Sequence, residues 1–265
     1  MTGLKLHKPN IFKDHQQLSF HKTFGSTVNL IDIDLDKNLS NFNQNTPNPL
    51  TGEPALPNGC TAFARADTAT NEDQIIYDPN FTYTLACQEE NVPVGSPLYL
   101  ETAYKVSRYG GLKAVSEASG KELNHRRGPY FWIAPKVGQD WFDAMWSALV
   151  MGVRPLSVGS NWYPEMTQMT IIDEVNIRPT SDGHAWEVCG VSTQNGIPRM
   201  KVKWWGGAPK WFGRSAINSL LSQSGSVCLT DVDGKATVAD LRSTGFISLL
   251  MQELINFITR LSHQQ

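Results

Sequence analysis

Two periodicities divide the chain. Up to Gly152 the apolar positions recur at helical spacing, and beyond it they alternate. The helical pattern is clearest in GQDWFDAMWSALVMG, where Phe142, Met145, Trp146 and Leu149 fall at i, i+3, i+4 and i+7. Asp140 is placed to cap its amino end, and Gly152 to take the left-handed position at its close. A helix is also predicted over 97–109, where Leu100, Ala103, Tyr104 and Lys105 keep helical spacing and Gly110-Gly111 supply the stop. Small residues running from Cys60 to Ala69, before the polar Asn71-Glu72-Asp73, read as another. In the second half PLSVGSNWY, MTIIDEVNI, HAWEVCGVS and RMKVKWW read as strands. Asn195-Gly196 joins the last two, and a type I′ hairpin turn needs positive φ at both of its central residues. One further alternating segment, Thr27–Leu35, precedes a loop over 41–59 rich in Asn, Pro and Gly. The expected fold class is therefore α+β, with helices first and antiparallel sheet second. At the far end, 246–261 is an apolar helix whose Ile247, Leu250, Leu254, Phe257 and Ile258 cover more than one face. Such a helix suits self-association or docking into a larger assembly, or else lies across its own chain.

Composition narrows the classes. Of 265 residues 40% are apolar, with eight Trp and eleven Phe, enough for a substantial core. Lys plus Arg total 23 against 25 Asp plus Glu, so overall charge gives no reason to expect nucleic acid as a partner. The first 25 residues lean basic and read as a solvated arm. No apolar run is long enough for a membrane span, and the amino terminus has no signal-peptide pattern. The expected location is the cytoplasm, or a particle assembled there, with Cys60, Cys87, Cys189 and Cys228 kept as thiols. None of the four forms a CxxC, so neither a metal nor another cofactor is expected. Asp231-Val-Asp233-Gly-Lys lacks the further ligands and closing glutamate of a calcium loop and reads as a turn.

The candidate chemistry begins in PNGCTAFARADTAT. Asn58-Gly59 sets Cys60 at the mouth of a helix, where unpaired amides and a partial positive charge favour a thiolate over a thiol. A thiolate needs a base. His184, in DGHAWEVCGV, opens a strand just after Asp182-Gly183, so its ring can stand at a strand end facing a cleft. His7, His15, His21 and His263 lie in terminal segments, and His125 in a charged loop beside Arg126-Arg127. Each member of the pair also has a plain reading, as a small buried hydrophobe and as a satisfied strand histidine.

In this order, CTAFA at a helix start and GHAWEVCGV more than a hundred residues later resemble the papain-like cysteine peptidases. DPNFTY, Asp78 to Tyr83, resembles the segment after that family's catalytic helix. VGQDWFDAMWSALVMGVRPLSVG resembles its entry to the second lobe, and WWGGAPKWFG its Asn-Ser-Trp-Gly region. The likeness spans roughly residues 27–235. It implies a two-lobed fold over 41–240, split near 135, with a helical left lobe and an antiparallel β-barrel-like right lobe. Residues 1–40 are then an entry segment and 241–265 the terminal apolar helix. It also implies hydrolysis of a peptide or cell-wall amide, with the Cys60 thiolate as nucleophile, its own N–H as one oxyanion donor and His184 as base, then acid. The family's oxyanion glutamine corresponds to Gln44 if TPNPLTGEPALP is an inserted loop, with Asn58 as a second amide.

Two departures accompany the likeness. Lys203 stands where the family carries the asparagine that orients the histidine, and an ammonium accepts no hydrogen bond. If Gln194 pairs with Ile197, His184 faces the neighbourhood of Gly207, and no residue from 203 to 210 has a side-chain oxygen. Orientation is then left to a backbone carbonyl, to a carboxylate such as Asp182, or to nothing. Pro57 stands where the family has a disulfide cysteine. The alternative expectation is a degenerate papain-like fold serving as a structural or binding subunit of a larger assembly such as a virion.

Overall fold

The computed structural model describes residues 4–5, 18–19, 32–39, 42–116, 127, 130–180 and 182–231. The apolar stretch 246–261, most of Thr27–Leu35, and His7, His15, His21, His125 and His263 lie outside the described residues.

The helical part is built on α1 (Cys60–Asp73), buried from Cys60 to Asn71. Ala62, Ala64, Ala66 and Ala69 combine high helix propensity with small volume, so other elements can pack against the helix on several sides. Gln74 closes it in the left-handed region at φ 58°, its N–H donating to the Thr70 carbonyl. Next comes α2 (Pro79–Glu89), which the periodicity does not predict, although its start carries a cap signal. Asp78 Oδ1 accepts from the Asn80 N–H at 2.9 Å, and Pro79 occupies the first turn. The helix expected over 97–109 begins later, as α3 (Leu100–Tyr109), because Leu98–Tyr99 is extended. That short strand, β4, pairs in parallel with β1 (Leu4–Lys5).

In α4 (Trp141–Gly152), Asp140 is the cap expected of it, Oδ1 accepting from the Asp143 N–H at 2.8 Å. The left-handed residue is not Gly152, however, but Val153 at φ 51°, ψ 44°, because the helix runs on through Gly152. A β-branched residue there is strained by about 1–2 kcal/mol. Val153 is exposed and Gly loses more entropy on folding, so Val153→Gly should raise stability by about 0.5–1 kcal/mol, read as a higher urea midpoint at unchanged slope. Two shorter helices, α5 (Pro164–Gln168) and α6 (Arg214–Leu221), complete the helical elements among the described residues.

Among the described residues the sheet has nine strands: β2 (Leu18–Ser19), β3 (Ile33–Asp34), β5 (Tyr130–Trp132), β6 (Leu156–Asn161), β7 (Ile171–Ile172), β8 (Gly183–Gln194), β9 (Ile197–Lys203), β10 (Lys210–Gly213) and β11 (Val227–Asp231). Their order is β2–β5–β11–β6–β8–β9–β10–β7, with β3 on β8. The pairings β5–β11, β11–β6, β6–β8, β8–β9 and β9–β10 are antiparallel, as is the short β3–β8 contact, whereas β2–β5 and β7–β10 are parallel. The edge strands β2 and β7 do not meet, so the sheet is open and the barrel-like expectation is corrected. MTIIDEVNI supplies only Ile171–Ile172. Asn195 and Gly196 take φ 52° and 76°, and Gln194 pairs with Ile197 as the turn requires. A bulge between Val188 and Gly190 then shifts the register, so that Glu187 faces Lys203, where β9 ends. Gly207 is therefore not opposite His184, which pairs with Ser160 of β6.

Trp146, Trp186, Phe131, Phe142 and Phe212 fill the main core with α4 and α6 packed on the sheet. Asp231, read from sequence as the start of a turn, ends β11 as a buried carboxylate. It accepts from Arg65 Nη1 of α1 at 2.7 Å and from Arg127 Nη2 at 2.8 Å. No helix among the described residues is long and apolar enough to cross a membrane.

Candidate active site

Cys60 is the first residue of α1 and is completely buried. Its Sγ accepts the Ala185 N–H of β8 at 3.3 Å, which joins the helix mouth to the strand carrying His184. Burial pushes the thiol up to about 12, against the pull of the amides of Ala185, Thr61 and Cys60 itself. Those amides are what a helix start offers an anion, but burial outweighs them.

His184 is equally buried, and among the described residues neither ring nitrogen has a hydrogen-bond partner. Burial lowers it to about 3, so at neutral pH the buried pair is a thiol and a neutral imidazole. Asp182 does not accept from the ring. Its neighbours are aromatic: Trp162 lies 4.8 Å away between ring centroids and Trp204 6.3 Å away. Lys203 is drawn elsewhere, its Nζ 2.6 Å from Asp67 of α1 and 3.3 Å from Asp36. The lysine at the family's asparagine position thus ties β9 to the helix and leaves the imidazole alone.

Gln44 is buried, with its backbone fixed at two points. Its N–H donates to the Trp205 carbonyl at 3.1 Å, and its carbonyl accepts from the Leu56 N–H at 2.8 Å. Residues 45–55 form an excursion closed by the Asn48 N–H on the Glu53 carbonyl and the Gly52 N–H on the Asn48 carbonyl. The chain therefore returns Gln44 to the segment just ahead of Cys60, and its Oε1 has no partner among the described residues. Asn58 is turned outward, Nδ2 donating to the Gly95 carbonyl at 2.6 Å.

Two residues of this site carry no chemical signal in the sequence. One is Trp162, which strand order alone brings to His184. The other is Leu4. It shares one apolar cluster with Cys60, Leu100, Trp132, Ala185 and Val227. A Cβ at Gly183 would meet the Leu4 carbonyl oxygen at 2.8 Å, and one at Gly159 would meet Leu4 Cδ2 at 3.0 Å. Strand β1 thus runs between β4 and the start of β8, with its leucine in the apolar cluster that includes Cys60. Among the described residues no group of three or more His, Cys, Asp or Glu is placed to hold a metal ion.

A long helix opening on Cys60, two further helices and a sheet bearing His184 have known counterparts. Procathepsin B S9 from Trypanosoma congolense superposes with a TM-score of 0.62 at 11% identity, over 87% of this chain and 86% of that one. Xylellain, a cysteine protease from Xylella fastidiosa, gives 0.60 at 14% identity, over 88% and 97%. The chain has a papain-like fold. Bromelain from Ananas comosus, solved with the inhibitor E64, gives 0.52 at 16% identity, over 77% and 99%. No family model and no curated protein sequence matches the chain. The papain-like fold is therefore carried by its structure, at identities too low to bring the chemistry with it.

Proposed function

We propose that the chain is a papain-like cysteine hydrolase of peptide or other amide bonds, held here in a closed resting conformation. The observation that carries this reading is the convergence of the Cys60 helix mouth with the His184–Ala185 strand, where a buried imidazole is left with two unpartnered nitrogens. An unpaired buried polar group costs about 1–3 kcal/mol, so a purely structural histidine would be expected to be satisfied. On opening, water lowers the cost of charge and the thiol passes its proton to His184. The thiolate attacks the substrate carbonyl, with the Cys60 N–H and the Gln44 amide as donors to the oxyanion. The imidazolium then protonates the leaving amine. Water, deprotonated by His184, cleaves the thioester and restores the thiol.

The second reading, a degenerate fold kept as a subunit of an assembly, is favoured by one observation: Lys203 is engaged by Asp67 and Asp36, and among the described residues no acceptor orients the imidazole. The pH dependence of Cys60 alkylation by iodoacetamide separates the two. It is measured by peptide mapping in Leu4→Gly and in Leu4→Gly with His184→Ala. For a hydrolase, labelling persists well below the ordinary thiol pKa of about 8.5 and is lost without His184. Labelling that follows an ordinary thiol in both proteins would establish the second reading.

A further inference from the structure

Three side chains, one each from α1, β8 and β9, meet in the interior. Glu187 of β8 faces Lys203 of β9 in the sheet register, and Asp67 reaches both from the middle of α1. Lys203 Nζ is 2.6 Å from Asp67 Oδ2, and the two side chains are 11% and 4% exposed. Glu187 is completely buried, its Oε1 accepting from Asn71 Nδ2, one turn further along α1, at 2.9 Å. Its Oε2 receives no donor among the described residues, yet the carboxyl is in hydrogen-bonding contact with Asp67. Two buried carboxyl groups in contact share a proton, because like charges at that distance repel. Burial holds Glu187 well above its ordinary value, in the acid form, and the Asp67 charge adds to this. An amine, a carboxylate and a carboxylic acid therefore stand together, which are the reactants and the proton carrier of an amide condensation.

We propose that Lys203 and Asp67 become joined by an amide bond that forms within the folded chain, with Glu187 carrying the protons. At 2.6 Å from one carboxylate oxygen, the Lys203 nitrogen stands about 3–3.5 Å from the carboxyl carbon, the separation from which a bond can form. Held there, the pair avoids the entropy cost that keeps a free amine and a free acid from condensing. In the unreacted site burial opposes the charge on Lys203, but Asp67 outweighs it and keeps the amine protonated. Passing that proton to Asp67 leaves an amine and an acid, and relief of the desolvation of two charges offsets its cost. The nitrogen then bonds to Asp67 Cγ as Glu187 gives its proton to the carbonyl oxygen and takes one from nitrogen. Glu187 returns a proton to one hydroxyl, which leaves as water, and the carbonyl re-forms as the other hydroxyl's proton passes to Glu187. The net change turns an ammonium and a carboxylate into an amide and one water, with Glu187 unchanged. The surroundings tolerate the loss of the lysine charge. Asp36, 3.3 Å from Lys203 Nζ, also has Lys201 Nζ at 3.2 Å, and burial keeps Cys189, near Glu187, a neutral thiol. The bond ties the helix that opens on Cys60 to β9, in a chain whose four cysteines are all free. Closing a loop from 67 to 203, it constrains the unfolded chain as a disulfide does. The inference is independent of whether Cys60 and His184 work as a pair.

Mass spectrometry of the denatured full-length chain tests this. The parent should be lighter by one water than its sequence requires, and trypsin should release residues 66–105 joined to 202–210 as one branched fragment. Lys203→Met and Asp67→Ala should each have the full mass. Glu187→Gln keeps the shape but cannot take up and return protons. It should slow bond formation about a hundredfold, read as the fraction of lighter chain against time after synthesis. Circular dichroism reports the folding of each variant, and the parent's mass and branched fragment stand as the test if a variant does not fold. A parent of full mass overturns the inference, as does a lost water located away from Asp67 and Lys203, or a lighter mass kept in Lys203→Met. Formation at the parent's rate in Glu187→Gln overturns the part assigned to Glu187.

Discussion

Asp231→Ala is expected to cost about 3–5 kcal/mol of stability, because it strands two buried guanidinium groups. Asp231 and Arg65 have side chains only 1% exposed, and their contact is 2.7 Å long. Arg65 lies mid-way along α1, its Nε donating to Ser107 Oγ of α3 and its guanidinium 4.2 Å from the Tyr104 ring centroid. Arg127 adds a second cation to the same carboxylate and reaches Glu72 and Asp73 at the far end of α1. One carboxylate on β11 therefore ties the helical part to the sheet. Burial alone would raise the Asp231 pKa, but Arg65 and Arg127 outweigh it and hold the group at about 2, below its ordinary 3.8. With the folded value depressed, the stabilisation is present above about pH 4 and is lost as pH falls toward 2. Urea titrations at neutral and acid pH check both statements: the gap between parent and Asp231→Ala should be widest at neutral pH and narrow in acid. Replacing Arg65 and Asp231 together with leucine should cost less than either single change, since a desolvated pair removed whole leaves less unpaired charge.

The same helix shows what can be read from the chain and what cannot. The Asp140 cap, the Asn195-Gly196 turn and the start of α1 at Cys60 are local, each decided by a few neighbouring residues, and each is legible. The resemblance to papain-like peptidases was legible too, because it needed only the order of short motifs. What was hidden depends on residues far apart. The bulge that shifts the β8–β9 register lies between Val188 and Gly190; a Cβ at Gly190 would meet the Ile33 carbonyl oxygen at 2.8 Å, and no local pattern announces that approach. The open sheet edge, Trp162 beside the imidazole and Asp231 between two arginines follow from strand order. Helix α2 was missed for a different reason: its start signal, Asp78-Pro79, is present, but its apolar residues make no stripe.

Leu4→Gly is expected to raise the rate of Cys60 alkylation at neutral pH about thirtyfold. A small reagent reaches the fully buried thiol only through a transient opening, so the rate follows the open population. A buried leucine side chain holds the closed form by about 1.5–3 kcal/mol, which is a ten- to hundredfold change in that population. Leu4 is 7% exposed, and it seats beside Gly159 and Gly183, whose missing side chains leave its room. Gly183→Ala should therefore act in the same direction from the opposite wall, as its Cβ would displace the Leu4 backbone, while Leu4→Met should stay near the parent. The neighbouring ion pair matters less. Lys5 Nζ meets Glu90 Oε2 at 2.6 Å, but Lys5 is 29% exposed, and such a pair contributes no more than about 1 kcal/mol. Lys5→Ala should then change the labelling rate by less than about fivefold. Equal rates in Leu4→Gly, Gly183→Ala and the parent would show that strand β1 does not govern access to Cys60. A rise in both, with Lys5→Ala near the parent, would place control of the thiol in one apolar side chain.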